Sequence, residues 1–439
     1  MRHPRRSLAM VAVAAVLLVA GGAMARADQA PAPAPADSAE IIEFFPPDSG
    51  AHSAGAHADQ SERVANEPWL RAPFGDRLLT PHEAWRSRPN GIERITPLLD
   101  YNRVDPLRIG FGYEFQDAET LHPRLGARIE YAFGRDRVLY GIQLEQPLAP
   151  PGRIAAGISW VRRTDHDDLQ QVEDKENSLA LLFGRQDYRD YFEREGVGAY
   201  LSWHVPDFST VSVHVRNDRY RSLETSDKTR SWFNAGRPLR ANPAVDEGNV
   251  HGLTLRFERL AHRTRGMRAG FYHWIELERT GRGLGGDFEY TRALADMRSI
   301  LRLSPATTLM LRGVAASGLD GTLPAQKQFT LGGVDGLRAH AFDEYRGNQL
   351  ALVQAEYVIG LWRMRTRGFE GGLHAIAFLD AGRAWNHPDG AWDIGRQRIR
   401  TDGGFGLGTS EDNLRVYFAR DLQNPKANVV ISVRLQRPF

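Results

Sequence analysis

From about residue 92 onward, apolar and polar residues alternate along the chain with a period of two. In the segment 107–115 every odd position is apolar, and the even positions hold Arg, Gly or Glu. The segments 137–146 and 152–164 largely repeat this pattern. Successive side chains of a β-strand point to opposite faces, so the pattern predicts strands with one oily and one polar face.

The same criterion predicts about sixteen strands. They lie at residues 92–101, 107–116, 122–133, 137–146, 152–164, 196–205, 208–220, 250–260, 267–279, 288–303, 306–316, 348–361, 371–381, 401–409, 413–420 and 427–439. An even number of alternating strands is typical of bacterial outer-membrane barrels. The predicted fold class is therefore all-β, a transmembrane antiparallel β-barrel occupying residues 92–439.

The lengths of the connections support this prediction independently. The long connections, which all follow odd-numbered strands, are 165–195, 221–249, 317–347 and 382–400. Connections after even-numbered strands are mostly short, as at 206–207 and 304–305. Membrane barrels have short turns on one side and long loops on the other. A soluble periplasmic β-protein also has alternating strands, but it does not account for this sorting of loops.

The segment before the strands divides into three parts. Residues 1–27 begin with basic residues, continue with an apolar run of 13 residues at 8–20 and end in Ala-Arg-Ala, which is the order of a secretory signal peptide. Residues 28–60 are rich in Ala and Pro, which predicts a disordered tail. Residues 61–91 are interpreted as a short periplasmic or plug segment, with a short helix near 81–85.

Composition and charge exclude some classes of function. The chain carries a net charge of +2, and residues 1–27 hold four Arg and no acid, so the mature chain carries 2 − 4 = −2. Its basic residues are scattered between acids, so we expect no nucleic-acid partner. The chain has no Cys. Disulfides therefore do not stabilise it, and burial and backbone hydrogen bonding must do so.

The end of the chain carries a candidate assembly signal. Positions 429, 431, 433 and 435 are apolar, positions 432, 434 and 436 are polar, and the last residue is Phe439. A terminal aromatic residue on such a strand is similar to the signal that the outer-membrane barrel assembly machinery recognises. We therefore expect this machinery to act during biogenesis and the mature chain to reside in the bacterial outer membrane.

One segment near the C-terminus is similar to a known family. Residues 329–349 read FTLGGVDGLRAHAFDEYRGNQ, residues 378–385 read FLDAGRAW, and residues 404–408 read GFGLG. These motifs resemble those of the BamA/TamA family, also called the bacterial surface antigen family. The resemblance covers residues 92–439, and its specific part is roughly the last 110.

The resemblance implies a particular arrangement of the loop at 317–347. In the family, the loop before the twelfth strand folds back into the barrel, and an Arg of the loop pairs with an Asp of the thirteenth strand inside the lumen. Transferred to this chain, the loop motif is Leu331, Gly332 and Gly333, and the anchor is Arg338 with Asp380. An Arg can present a bidentate fork to a carboxylate. The alternative is a surface Arg and an inward-facing Asp that never meet.

The chain departs from the family in two places. Ala339 and His340 stand where the family has Gly and an aromatic residue after the Arg, which predicts different packing of the loop tip. Family members also carry periplasmic polypeptide-transport-associated (POTRA) domains of about 75 residues each. Residues 28–91 are too short and too rich in Pro for such a domain, so we expect none in this sequence.

Local motifs for catalysis or metal binding are weak. The fourteen His residues are dispersed, and the acidic run at 165–168 has no second His at zinc spacing. No motif supports a Ser-His-acid triad, which assembles in space and not in sequence. The sequence thus predicts no enzyme, catalytic residue, metal or cofactor, although a barrel enzyme acting on lipid or peptide stays an alternative.

Besides the barrel enzyme, two functions remain open at this point. The resemblance implies assembly of outer-membrane proteins or translocation of polypeptides, in which the first and last strands separate to admit a client. The alternative is a passive channel or structural barrel that loop 317–347 plugs. The expected partners are outer-membrane lipid and, in place of a POTRA domain, a periplasmic protein.

Overall fold

The computed structural model describes residues 92–117, 121–149, 153–166, 172, 174–205, 209–259, 270–366, 369–388, 390, 392–409, 414–424 and 426–435. Residues 1–91 lie outside the described residues, and so do the signal peptide, the tail and the short segment predicted there. No helix within the described part of the chain is long and apolar enough to cross a membrane.

Sixteen strands form one antiparallel sheet in which each strand pairs with its neighbours along the chain. These strands are β1 (Ile92–Asp100), β2 (Arg108–Gln116), β3 (Arg124–Ala132), β4 (Arg137–Ala149), β5 (Ile154–His166), β6 (Tyr191–His204), β7 (Thr210–Ser222), β8 (Gly248–Arg259), β9 (Gly270–Thr280), β10 (Tyr290–Ser304), β11 (Thr307–Gly321), β14 (Gln349–Thr366), β15 (Phe369–Trp385), β16 (Arg400–Thr409), β17 (Arg415–Asp421) and β18 (Val430–Arg434).

Two further strands, β12 (Phe329–Leu331) and β13 (Tyr345–Gly347), form a separate hairpin. Among the residues that the structure describes, one α-helix, α1 (Asp174–Gly184), lies in the connection between β5 and β6. Short 3-10 turns in the same part of the chain are at Arg282–Leu284, Ala325–Lys327 and Ile394–Arg396. The alternation thus predicted the strands, whereas the sequence did not predict helix α1.

Several predicted bounds were wrong where strands continue past the alternating region. β11 ends at Gly321, so the loop expected at 317–347 covers 322–348 instead. Likewise β6 begins at Tyr191 within the expected loop 165–195, and β15 ends at Trp385. The register of β5 and β6 continues to the pair His166 and Tyr191. A hydrogen-bonded ladder needs no alternation of side chains, so it extends beyond the stretch whose faces differ in polarity.

The two faces of the sheet are inverted relative to a water-soluble protein. Large apolar side chains on one face are exposed; among them are Ile95, Phe111, Val353, Phe405 and Ile431. Polar and charged side chains on the other face are buried, as are the ion pairs Arg124–Glu145 at 2.7 Å and Arg256–Glu276 at 2.6 Å. An apolar outer surface and a polar interior suit a sheet surrounded by hydrocarbon.

Candidate functional site

The connection between β11 and β14, residues 322–348, packs against the polar face of the sheet; we call it the β11–β14 loop. Its hairpin β12–β13 turns at Gly332 and Gly333, both with positive φ, +132° and +81°. A Cβ at Gly332 would lie 2.1 Å from the carbonyl oxygen of Ala341. The two glycines of the predicted motif therefore make a turn that other residues would strain.

Apolar side chains attach this loop to the sheet. Phe329, Leu331 and Leu337 are buried in one cluster with residues of β9, β10, β11, β14 and β15. Leu331, the first residue of the predicted motif, is only 3% exposed. Each such side chain stabilises the docked loop by about 1.5–3 kcal/mol relative to exposure in water.

Arg338 lies at the centre of the buried contacts of the loop. Its Nη2 is 2.7 Å from Oε1 of Glu356, and its Nε is 3.4 Å from Oδ2 of Asp380. The guanidinium also lies 4.3 Å from the ring centre of Phe378 and 4.6 Å from that of Tyr417. Burial opposes the charged form, but the two carboxylates outweigh it and raise the pKa of Arg338 above its ordinary value.

The shorter of the two carboxylate contacts is one that the sequence did not reveal. Glu356 on β14 also accepts hydrogen bonds from Arg415 at 3.0 Å and from the Tyr417 hydroxyl at 3.1 Å. Asp380 accepts one from Gln354 at 3.1 Å. The side chains around Arg338 thus link three strands, β14, β15 and β17. The available sequence signal for Glu356 was its place among the inward-facing positions of the alternating strand β14.

The tip of the β11–β14 loop contacts β16 and β17. The amide of Ala339 donates a hydrogen bond of 2.7 Å to Asp402 on β16. Nε2 of His340 lies 3.3 Å from Oδ1 of Asp402 and 4.0 Å from Oδ2 of Asp421 on β17. The two residues that depart from the family motif therefore both contact Asp402.

One side chain of β18, the last described strand, contacts both the β11–β14 loop and α1. Arg434 of β18, which is 1% exposed, donates from Nε to Glu176 of α1 at 2.7 Å. Its Nη1 donates to Asp335 of the loop, also at 2.7 Å. The strand at one edge of the sheet is thus fixed by ion pairs to elements that lie outside the sheet.

The opposite edge of the sheet contacts the same helix. The hydroxyl of Ser178 on α1 donates to Asp100 at 2.9 Å and accepts from the amide of Tyr101 at 2.9 Å. Asp100 is the last residue of β1. Within the described residues, no backbone pairing joins β1 to β18. Helix α1 therefore bridges the two edge strands; we call this region the seam.

The structure places most of the predicted site residues in the β11–β14 loop or facing it. Leu331, Gly332, Gly333 and Arg338 all belong to the β11–β14 loop, and Asp380 faces it from β15. Phe439 lies outside the described residues.

Comparison with solved structures shows similarity to outer-membrane proteins. BamA from Haemophilus ducreyi lacking POTRA domains 1–3 matches with 14% identity and a TM-score of 0.53, over 79% of this chain and 69% of that one. CdiB from Acinetobacter baumannii has 13% identity and a TM-score of 0.44, over 81% and 67%. CdiB from Escherichia coli has 13% identity and a TM-score of 0.45, over 89% and 72%.

Comparison with curated protein sequences found no match. The model of the Omp85 superfamily domain matches residues 96–419, which is most of the chain and includes β2 to β16, most of β17 and the β11–β14 loop. This result confirms the resemblance deduced from the loop motifs and the expected location. The chain belongs to the Omp85 superfamily and is a bacterial outer-membrane protein.

Proposed function

We propose that this protein is a barrel for assembling outer-membrane proteins or translocating polypeptides, and that its seam between β1 and β18 opens to admit a client. The observation that carries the proposal is the bridge from β1 through α1 to β18. The other neighbouring strands share ladders such as the nine paired positions of β1 and β2. The edge strands instead meet α1 through the side chains of Ser178 and Glu176.

The energetic difference between these connections supports an opening seam. Each backbone hydrogen bond of a ladder contributes a net of about 0.5–1.5 kcal/mol, and in hydrocarbon each unsatisfied group costs several kcal/mol. Separating two paired strands is therefore costly. A seam held by a few side chains needs fewer contacts to break, and a client strand would satisfy the exposed backbone groups.

In this proposal the sheet closes into a ring and the β11–β14 loop lies inside it. The support is the burial of Arg338 of the loop against Glu356 and Asp380, on the sheet face opposite the exposed apolar residues. The second candidate, a passive or structural barrel, is favoured by the same observation, because a docked loop also obstructs a pore. No catalytic residue is assigned in either case.

The partners that fit this proposal are outer-membrane lipid on the apolar face, the barrel assembly machinery during biogenesis and a periplasmic partner protein. The client is a polypeptide. Residues 28–60 and 61–91 are proposed as a tail and a short periplasmic or plug segment that follow a signal peptide at 1–27.

The experiment joins the two edge strands covalently. The chain has no Cys, so cysteines introduced as Ile95→Cys and Val433→Cys are the only thiols. The variant is reconstituted in liposomes and linked with bis-maleimides of increasing length. The probe is a urea-unfolded eight-stranded outer-membrane protein, whose folding is followed by its shifted migration on unheated gels. We expect the linked protein to lose its acceleration of folding, and a reducible linker to restore it on cleavage.

The matched control links Val416→Cys to Val433→Cys. These positions are paired in the ladder between β17 and β18, so this link leaves the seam free. We expect the control to keep full activity. Undiminished activity of the Ile95–Val433 linked protein would rule out an opening seam. Absence of acceleration in every form, together with an open ion conductance, would favour the passive channel.

A further inference from the structure

The tip of the β11–β14 loop brings three metal-ligating side chains from three elements to one point. They are His340 of the loop, Asp402 of β16 and Asp421 of β17, and one ligand atom of each lies within 4.8 Å of the others. Asp402 and Asp421 are directly opposite each other in the ladder. All three side chains are at least nine-tenths buried.

Each of the three side chains uses one polar atom elsewhere and turns the other toward this point. Asp402 accepts from the Ala339 amide with Oδ2 and presents Oδ1. Asp421 accepts from the Gln423 amide with Oδ1 and presents Oδ2. His340 directs Nε2 between them, and neither this atom nor Asp402 Oδ1 has a hydrogen-bond partner.

The other ring nitrogen of His340 has a carboxylate beside it. Nδ1 lies 3.1 Å from Oε1 of Glu344 and 3.2 Å from the Tyr345 hydroxyl. A proton on Nδ1 that is donated to Glu344 leaves the lone pair of Nε2 facing two carboxylates. Histidines that bind metal have this arrangement, in which a carboxylate holds the N–H and orients the ring.

In the part of the chain that the structure describes, no Arg or Lys forms an ion pair with Asp402 or Asp421. The cation Arg338, which contacts Glu356 and Asp380, acts on Asp402 without pairing with it. Two buried carboxylates side by side are stabilised by a nearby positive charge or by a proton held between them. A divalent cation bound at this point would supply that charge.

We propose that His340, Asp402 and Asp421 form a site for a divalent transition-metal ion of the Zn²⁺ type, oriented by Glu344. Tetrahedral Zn²⁺ with bonds of about 2.0–2.2 Å separates its ligand atoms by about 3.3–3.6 Å. The 3.3 Å between His340 Nε2 and Asp402 Oδ1 matches this spacing, whereas Asp421 Oδ2, 4.0 Å from His340 Nε2, would have to move closer when the ion binds. The hard cations Ca²⁺ and Mg²⁺ prefer oxygen ligands alone, so the imidazole selects against them.

The bound ion would fasten the loop to β16 and β17. This connection is additional to that of Arg338, which contacts β14, β15 and, through Tyr417, β17. It also gives a physical role to His340, one of the two residues that depart from the family motif. The proposal does not depend on the transport function, since it concerns how the loop is held.

The experiment is calorimetric titration with Zn²⁺ of the purified barrel in detergent, after treatment with chelator. The affinity tag contains no His, and the barrel is confirmed as folded by its migration on unheated gels. We expect one Zn²⁺ per chain with micromolar or tighter affinity, and a zinc absorption edge that indicates one imidazole and oxygen ligands. His340→Ala should abolish this binding, and Glu344→Gln should weaken it about 10–100-fold.

Three further variants keep the result interpretable. Asp402→Asn and Asp421→Asn, which preserve shape, should each lower the affinity for Zn²⁺ at least tenfold. His374→Ala, at another buried His of the same face, should bind as the natural chain does. Zn²⁺ binding that survives His340→Ala would overturn the proposal, because the ion would then occupy another group of His residues. A folded natural chain that binds no Zn²⁺ would also overturn it.

Discussion

Arg434 of the last strand donates a hydrogen bond of 2.7 Å to Glu176 of the helix between β5 and β6, 258 residues earlier in the chain. This contact joins β18, at one edge of the sheet, to the connection that follows β5, the fifth strand from the other edge. The same helix contacts the end of β1 through Ser178. Helix α1 therefore contacts both edge strands, and Arg434 is its contact with β18.

Replacing Arg434 should loosen the seam. Arg434→Ala leaves Glu176 and Asp335 without this partner, and breaking a buried ion pair costs about 3–5 kcal/mol. We expect a lower free energy of unfolding in urea and a broader distance distribution between spin labels at Ile95→Cys and Val433→Cys. The matched control, Arg256→Ala, breaks the buried pair with Glu276 away from the seam. It should lose stability without broadening the distances. Equal broadening in both variants would contradict the bridge.

The effect of Arg434→Ala should depend on pH. Burial raises the pKa of Glu176, and Arg434 opposes that rise. Without Arg434 the folded-state pKa is higher still, so the folded state binds the Glu176 proton more tightly than the unfolded chain does. The stability contributed by this proton is complete below the unfolded pKa and disappears as the pH rises through the folded pKa. Urea unfolding of Arg434→Ala should thus show stability falling with rising pH, and Arg434→Ala/Glu176→Gln should lack this component. Identical pH profiles of the single and the double variant would contradict this role of Glu176.

Replacing Arg338 tests whether the loop obstructs a pore. Arg338→Ala removes the contacts with Glu356 and Asp380 and the ring contacts with Phe378 and Tyr417. We expect a higher ion conductance in planar bilayers. Arg338→Lys should restore the natural conductance only in part, because an ammonium cannot reproduce the planar guanidinium. The exposed Arg282 provides the control, since Arg282→Ala should change nothing. An unchanged trace for Arg338→Ala would argue against a plug.

Gly333 has φ of +81°, where an L-residue with a Cβ is strained. Gly333→Ala should destabilise the docked loop by about 1–2 kcal/mol. We expect faster cleavage within residues 322–348 in limited proteolysis. Gly313→Ala on β11 is the matched control, because a Cβ there meets no atom within 4 Å. Equal cleavage rates for the two variants would show that the glycine turn does not hold the loop.

Much of the fold followed from the sequence because each strand faces two different media. That contrast determined the alternation and hence the strands, including the inward orientation of Asp380 and the outward orientation of Leu379. Helix α1 was not predicted, since it lies in a long connection and only three of its residues are buried. A single sequence gives no signal for contacts such as Arg434–Glu176.

The loop residues were predictable for a different reason. Arg338 and the glycines belong to a contiguous motif, so the resemblance supplied them together. Glu356 was missed as the nearer partner because the strand contains no feature that distinguishes it from other inward polar residues. The group of His340, Asp402 and Asp421 was missed because a search for local His spacing cannot find ligands on three elements.

Placing a charge on the apolar face tests the membrane orientation of the sheet. Val353 lies within β14 and is 61% exposed. Val353→Arg should cost about 2–4 kcal/mol if this face contacts hydrocarbon, whereas the same change on a water-exposed surface would be nearly neutral. Val429→Arg, just before β18, should cost about 0–1 kcal/mol near the interface. The folded fraction in liposomes, read from unheated gels, measures both. Equal folding of the two variants would contradict a lipid-facing surface.

We propose that the sixteen strands of the sheet close into a ring with the apolar face toward lipid. Its most direct test is to compare unheated and heated samples of the detergent-purified chain on denaturing gels. A closed ring resists detergent until it is boiled, so the unheated protein should migrate faster than the heated one. Identical migration, or a mature chain that is freely soluble without detergent, would contradict the account.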